Sequence, residues 1–421
     1  MKIAVIGGGS SYTPELMDGL IRRGAAFGVT EIVLQDPRPD RLGPVTAFCQ
    51  RMAAAGEATF AISSTPDLDT ALRGADFVII QIRVGGQEGR HEDIMLGLRH
   101  GLIGQETTGV GGFAKALRTI PVVLDIARRV DELCPDAWIL NFTNPAGVVT
   151  EALLRHGREK CIGLCNVPIE MHMEIAKLLG RDPADVWLDW VGLNHLGWVR
   201  RIVVDGVDVL PGLLEQVEAG VPGPANVPEI KYPKGFLKAL GMIPSSYVRY
   251  FYMPAEMLAD IEKKPKTRAQ EVAEIETELL RLYADPSTPP QLPSLLSQRG
   301  GAWYSRLAVD VLAALNDDMP SVHIVNVANR GSVAGMPDDA VVEVPCSISK
   351  DGAFPLDRGE IQESIFGLIR QVKSYESLAI TAAVDGDESA AYLSLLNNPL
   401  VPDAAVARAV LDDIIARGLL H

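Results

Sequence analysis

The chain has 421 residues, 47% hydrophobic and 22% charged, with a formal net charge of −15. That length exceeds one small core and calls for two domains. The acidic balance argues against a nucleic-acid or anionic-membrane partner, although a local cluster of arginines and backbone N–H groups can still hold an anionic small molecule.

The five cysteines, Cys49, Cys134, Cys161, Cys165 and Cys346, are scattered and form no CxxC pair. This pattern fits a reducing cytoplasm and not a disulfide framework. Met1-Lys2 runs straight into Ile3-Ala4-Val5-Ile6, which reads as a strand and not as a secretory leader. No apolar run reaches the roughly 20 residues that span a bilayer.

Ile3–Ile6 ends in Gly7-Gly8-Gly9-Ser10-Ser11-Tyr12, and a helix is predicted from Pro14 to Arg23. Strand, glycine turn and helix make a dinucleotide-binding pattern, in which Gly7, Gly9, Ser10 and Ser11 would cradle a pyrophosphate. The match is imperfect, because Tyr12 stands where the third glycine of GxGxxG would be, and a glycine triplet also fits an ordinary turn. A second apolar run, Glu31–Gln35, ends in Asp36. Asp36 either accepts from an adenosine ribose diol, favouring NAD over NADP, or starts the Asp36-Pro37-Arg38-Pro39 turn.

Further strands are predicted over Asp76–Ile82, Ala137–Phe142 and Lys160–Leu164, with helices over Gly43–Ala55, Ala114–Cys134 and Gly147–His156. This alternation predicts a doubly wound parallel sheet, Rossmann-like, whose ligands gather at the carboxyl ends of the strands. The loops there carry Arg83–Arg90, Gly101–Gly112, Asn141–Pro145 and Cys165-Asn166. Asn144-Pro145 also reads simply as a helix cap. Cys165 and His195 follow predicted strands, and thiolate and imidazole are good ligands for a borderline divalent metal. Read singly, each is equally a buried thiol or a hydrogen-bonded core histidine.

From about Val191 the alternation stops. We expect a hairpin of Trp198–Val204 and Val207–Leu210 around Asp205-Gly206, then a Pro/Gly-rich mobile segment or lid over 211–233. Thr267–Asp285 is predicted as a helix with a solvated charged face, and Trp303–Asn316 as another. His323–Val327 and Ala340–Pro345 are predicted strands of a smaller sheet. Helices over Arg358–Val384, Glu388–Leu396 and Asp403–Arg417 close the chain. The expected fold class is therefore α/β: a Rossmann-like NAD-binding domain over 1–190, and over 191–421 a mixed α+β domain for substrate, metal and oligomerisation.

Several stretches together resemble glycoside hydrolase family 4, the NAD- and divalent-metal-dependent 6-phospho-glycosidases and α-galactosidases. They are Gly7–Ser10, Ile103-Gly104-Gln105-Glu106-Thr107, Asn141-Phe142-Thr143-Asn144-Pro145, Gly163-Leu164-Cys165-Asn166-Val167-Pro168, Gly192-Leu193-Asn194-His195, Tyr247-Val248-Arg249-Tyr250 and Val341–Cys346. They run in the family's order across nearly the whole chain, and the likeness is greatest to the 6-phospho-β-glucosidase branch.

The resemblance implies a redox-neutral hydrolysis, an exception to the two-carboxylate mechanism of most glycosidases. NAD takes a hydride from C3 of the sugar, a base removes the acidified C2 proton, the C1–O bond breaks by elimination, water adds, and the hydride returns. It further implies Cys165 and His195 as ligands of a metal, Mn²⁺ or another divalent ion, and a tyrosine as the base. Tyr247 is chosen over Tyr250 and Tyr252, and Glu106 is implied to keep it basic through a short proton relay. Asn144 would serve cofactor and sugar, and Asn166 sugar hydroxyls. Asn166 stands where the α-specific branch has an acidic aspartate, which favours the β-specific branch and leaves water as the default proton source. Arg90 is the expected clamp for the 6-phosphate, ahead of Arg249 and Arg306. Arg299–Ser305 resembles a substrate loop of the family. The expected substrate is a phosphorylated disaccharide or aryl glucoside, and the expected enzyme is a cytoplasmic homodimer or homotetramer. The alternatives are an α-galactosidase or α-glucosidase of the family, a hydroxy-acid dehydrogenase, and an NAD-binding sensor.

Overall fold

The computed structural model describes residues 1–216, 227–300 and 303–420. The first half alternates strand and helix, with β3, α3, α4 and α7 beyond the predicted elements and Gly86–Arg90 opening α4 instead of lying in a loop: β1 (Lys2–Ile6), α1 (Thr13–Arg23), β2 (Glu31–Gln35), α2 (Pro39–Ala55), β3 (Ala61–Thr65), α3 (Leu68–Leu72), β4 (Phe77–Ile80), α4 (Gly86–Arg99), α5 (Gly109–Leu133), β5 (Trp138–Asn141), α6 (Ala146–Arg155), β6 (Cys161–Gly163) and α7 (Asn166–Leu179). These strands pair in parallel in the order β3-β2-β1-β4-β5-β6. The strand order reverses between β1 and β4, and the crevice beyond their carboxyl ends is where such folds bind dinucleotides. Continuous apolar runs make the central strands, and β1 and β4 are buried on both faces.

The second half holds β7 (Val186–Leu193), β8 (Leu196–Val204), β9 (Val207–Asp208), α8 (Leu210–Leu214), α9 (Phe236–Leu240), β10 (Ile243–Pro244), α10 (Arg249–Tyr252), α11 (Pro254–Glu262), α12 (Arg268–Ala284), α13 (Tyr304–Ala314), β11 (Ser321–Ala328), β12 (Val341–Ser349), β13 (Gly352–Pro355), α14 (Glu363–Asp385), α15 (Glu388–Asn397) and α16 (Ala404–Ala416). β7, β8 and β10 form an antiparallel sheet with β9 on β8, and the expected turn at Asp205-Gly206 joins β8 to β9. Strand β7 runs through residue 190, the expected domain boundary.

Two expectations are corrected. The strands at 323–327 and 340–345 do not form a smaller sheet of their own. As β11 and β12, with β13, they extend the main sheet antiparallel, joining β6 through Asn326 opposite Gly163. Strand β12 is buried along almost its whole length, as is the second half of β11, and β6 offered the free edge. The face of α12 is not wholly solvated either, since Glu276 is buried at its centre. Of the segment expected to be a mobile lid, 217–226 lie outside the described residues, while Val227 and Tyr232 are buried. No helix among the described residues is long and apolar enough to cross a membrane.

Glu276 fastens α12 to the glycine turn. It pairs with Arg41 at 3.1 Å and Arg299 at 3.0 Å, and accepts from Ser11 Oγ at 3.3 Å and Gln87 at 3.2 Å. Burial would raise its pKa, but Arg299 and Arg41 outweigh that and bring it down to about 2 from an ordinary 4.5. A lowered folded-state pKa contributes stability above the unfolded value, and that stability disappears as pH falls from about 4.5 through 2. The contribution is roughly 3 kcal/mol. Glu276→Gln should therefore lower Tm at pH 7 and flatten its fall between pH 5 and 2. An unchanged pH–Tm profile by calorimetry would count against the assignment.

Candidate active site

At the nucleotide end, β1 delivers Gly7-Gly8-Gly9 beside the end of β2. Gly9 N–H donates to Asp36 Oδ2 at 3.2 Å, and Arg38 N–H to Oδ1 at 3.0 Å. A Cβ on residue 9 would lie 2.8 Å from Asp36 Oδ2, so glycine is required for this approach. Ser10 Oγ accepts from Tyr12 N–H at 3.2 Å, and Ser11 is fully buried. Gly7, Gly9, Ser10, Ser11 and Asp36 thus stand together at the switch point. Asn144 is half-buried in the loop after β5, two strands across from β1.

The second cluster grows from two strand ends. β6 leads into Cys165, which caps α7, and the β7–β8 hairpin turns through Asn194-His195. His195 is left-handed at φ 60°, and Gly192 at φ 149° leaves no room for a side chain, since a Cβ would meet Leu196 O at 2.1 Å. His195 Nδ1 lies 3.1 Å from Thr107 Oγ1, which leaves Nε2 for a cation. Burial, reinforced by the charge of Lys115, pushes the imidazole down to about 3, so it is neutral. The Tyr247 ring stacks on His195, centroids 3.9 Å apart and planes at 9°. Cys165 and Tyr247 belong to one buried cluster. Burial and then Glu343 hold the Cys165 thiol well above its ordinary pKa, while the Val167 N–H and the Asn194 carboxamide beside it pull it down.

The other two tyrosines have different surroundings. Tyr250 is buried and lines a cavity that it shares with Arg90 and Glu106, and desolvation raises its pKa. Tyr252 packs among Trp198 and Phe236.

A third cluster centres on Glu106, which pairs with Arg83, with Arg90 at 2.7 Å and with Lys115 at 3.3 Å. Asp93 pairs with Arg118 at 2.6 Å close by. Burial would raise the Glu106 pKa, but Arg83, Arg90 and Lys115 hold it well below the usual carboxylate range. It stands as a fixed anion, which disfavours a proton-accepting relay near neutral pH. Burial and then the charge of Arg83 lower Lys115 to about 7. Cations outnumber carboxylates here, so the site is short of negative charge. Arg90, Glu106, Lys264, Lys266 and Arg268 line a cavity of about 240 Å³.

Arg249 donates to Ile230 O at 3.0 Å and covers Tyr232. Arg306 pairs loosely with Asp310 near the surface at 3.8 Å. Asn166 donates to Glu170 Oε1 at 2.8 Å. In the segment 299–305, residues 301–302 lie outside the described residues.

Residues 2–181 match the family model described as family 4 glycosyl hydrolase, and residues 190–401 match the model of its C-terminal domain. The chain belongs to glycosyl hydrolase family 4. It is 43% identical over 430 residues to a Bacillus subtilis protein named probable 6-phospho-beta-glucosidase, covering 99% of this chain and 96% of that one. It is 40% identical to the 6-phospho-beta-glucosidase of Escherichia coli K12, covering 95% and 91%. A solved structure of the 6-phospho-beta glucosidase from Thermotoga maritima with manganese, NAD+ and glucose-6-phosphate superposes with a TM-score of 0.90 at 35% identity, covering 99% and 98%.

In this family 4 glycosyl hydrolase, sequence reading missed Lys115 beside the candidate site and gave no role to Thr107, Asn194 and Glu343 within the family stretches. Lys115 sits in the buried part of α5, and Glu343 in the apolar strand β12. A charge inside an apolar run was the available signal for both. Thr107 lay within a family stretch, but its partner could not be read there, because its contact with His195 joins positions 88 residues apart.

Proposed function

We propose that this family 4 glycosyl hydrolase cleaves 6-phospho-β-glucosides with NAD and a divalent cation, by the redox-neutral route through C3 oxidation, C2 deprotonation, elimination and hydration. The observation that carries the proposal is the flat stacking of Tyr247 on His195, in a chain whose Cys165 shares a buried cluster with Tyr247 and whose first half is a Rossmann-type sheet. It is supported by the greater similarity to β-specific relatives, 43% against 30% for a 6-phospho-alpha-glucosidase of Leptotrichia buccalis.

The donor set fits a cation. Neutral His195 offers Nε2, and Cys165 offers sulphur at a helix N-terminus, where the dipole favours thiolate. Among the described residues no group of three His, Cys, Asp or Glu side chains could hold an ion, so water and sugar oxygens would complete the shell. An oxygen-rich shell suits manganese. When bound, NAD supplies reversible hydride acceptance at C3, and the cation polarises the C2 and C3 oxygens.

The chain's own residues do the rest. Gly7, Gly9, Ser10 and Ser11 hold the pyrophosphate, Asp36 the ribose diol, and Asn144 the cofactor and sugar. Tyr247 removes and returns the C2 proton at its phenol oxygen. Arg90 clamps the 6-phosphate, supported by the cationic surplus around it, and Glu106 fixes Arg83, Arg90 and Lys115 in place. Asn166 hydrogen-bonds sugar hydroxyls and cannot act as an acid. Residues 1–190 serve the nucleotide and 191–421 supply His195 and the base, in a cytoplasmic homodimer or homotetramer.

The test is turnover of a 4-nitrophenyl 6-phospho-β-glucoside with and without NAD and Mn²⁺. We expect hydrolysis that needs both additives and accumulates no NADH. Equal turnover of the unphosphorylated glucoside, or of the α-anomer, would overturn the assignment.

A further inference from the structure

Glu343 lies within β12, between valines, and is fully buried. Its Oε1 accepts from Asn326 Nδ2 at 3.0 Å and from Asn194 Nδ2 at 3.3 Å. Its Oε2 has no hydrogen-bond partner, and among the described residues no cation pairs with it. A carboxyl held only by neutral donors in such a place is costly, so a purely structural part is poorly served by it.

What Glu343 touches leads to the candidate cation ligands. Asn194 is the residue before His195 in the hairpin turn, and its carboxamide is one of the groups that pull the Cys165 thiol down. Nδ2 carries two hydrogens, so one amide can serve both Glu343 and the sulphur. Asn326, opposite Glu343 on β11, donates to Gly163 O at 3.4 Å as well, two residues before Cys165. Strand β11, which joins β6 antiparallel, and β12 beside it therefore pin the loop that carries the thiol and the turn that carries the imidazole.

We propose that Glu343, acting through Asn194, is a positioning residue that orients Cys165 and the His195 turn for a divalent cation. This rests on the reading of Cys165 and His195 as the ligand pair. Partners of this outer kind typically govern metal affinity by about 10–100-fold.

The experiment is a titration of the full chain with Co²⁺ alone, read by thiolate-to-cobalt charge-transfer absorption, with Mn²⁺ as competitor. Asn194→Ala and Glu343→Ala should weaken binding by about 10–100-fold. Glu343→Gln keeps a carbonyl acceptor for both amides and should recover most of the affinity, which a general loss of packing would not. If Glu343→Ala does not fold, Asn194→Ala and Glu343→Gln carry the comparison. An Asn194→Ala protein with unchanged affinity and band would overturn the proposal. Absence of the band in the unaltered chain would instead overturn the assignment of Cys165, and this inference with it.

Discussion

Tyr247→Phe is expected to cut turnover of an aryl 6-phospho-β-glucoside by about 10²–10⁴-fold, the range for losing a positioned general base. The substitution keeps the ring packing. Phenylalanine preserves the stack on His195, with its 3.9 Å centroid spacing, and removes only the phenol oxygen. Tm should therefore move little, and kcat should fall far more than KM rises. Exchange of the substrate's C2 hydrogen with solvent deuterium should stop, while hydride transfer to bound NAD, seen as NADH absorbance, survives. That split separates loss of the base from a damaged cofactor site. Tyr252→Phe serves as the control, since Tyr252 packs among Trp198 and Phe236 and should leave turnover near normal. Near-normal C2 exchange in Tyr247→Phe would remove the residue from its role.

The first half of the fold was legible because its information is local. Ile3–Ile6, the run after Asp76 and the run before Phe142 are apolar without alternation, which identifies strands covered on both faces. What such a run does not encode is its neighbour. Val341–Cys346 reads the same whether it lies in a small sheet or against β6, and only the register of Asn326 with Gly163 decides. The same limit applies to charge. Glu276 sits in a charged helical stretch that reads as solvated, and it is buried because Arg41, 235 residues away in sequence, reaches it. Cys165, His195 and Tyr247 were legible as chemistry in loops after strands. Their supports, Thr107 and Glu343, were not, because their contacts close over long loops. Glu106 illustrates a further limit. Its position could be read, but its state could not, since that depends on Arg83, Arg90 and Lys115 surrounding it together.

Cys165→Ser should abolish measurable turnover and bound manganese while the chain still folds. Serine is a favoured residue at a helix N-cap, so α7 keeps its start and even gains a better acceptor for its first N–H groups. What changes is the ligand. A neutral hydroxyl replaces an ionisable thiol, and with no third His, Cys, Asp or Glu donor among the described residues, His195 alone does not retain an ion. Lewis-acid stabilisation is worth several kcal/mol, so the loss should reach about 10³-fold or more. Metal content per chain after gel filtration and turnover across a Mn²⁺ series are the measurements. A serine variant that keeps one manganese per chain and near-normal kcat would show that the sulphur is not a ligand. The pairing with Tyr247 sharpens the test. If sulphur, imidazole and phenol act on the same sugar atoms, the Cys165→Ser/Tyr247→Phe double variant should be scarcely slower than the worse single one, because groups that work as a unit lose their effect together. Multiplying losses would mean that the two side chains act at separate steps or separate places.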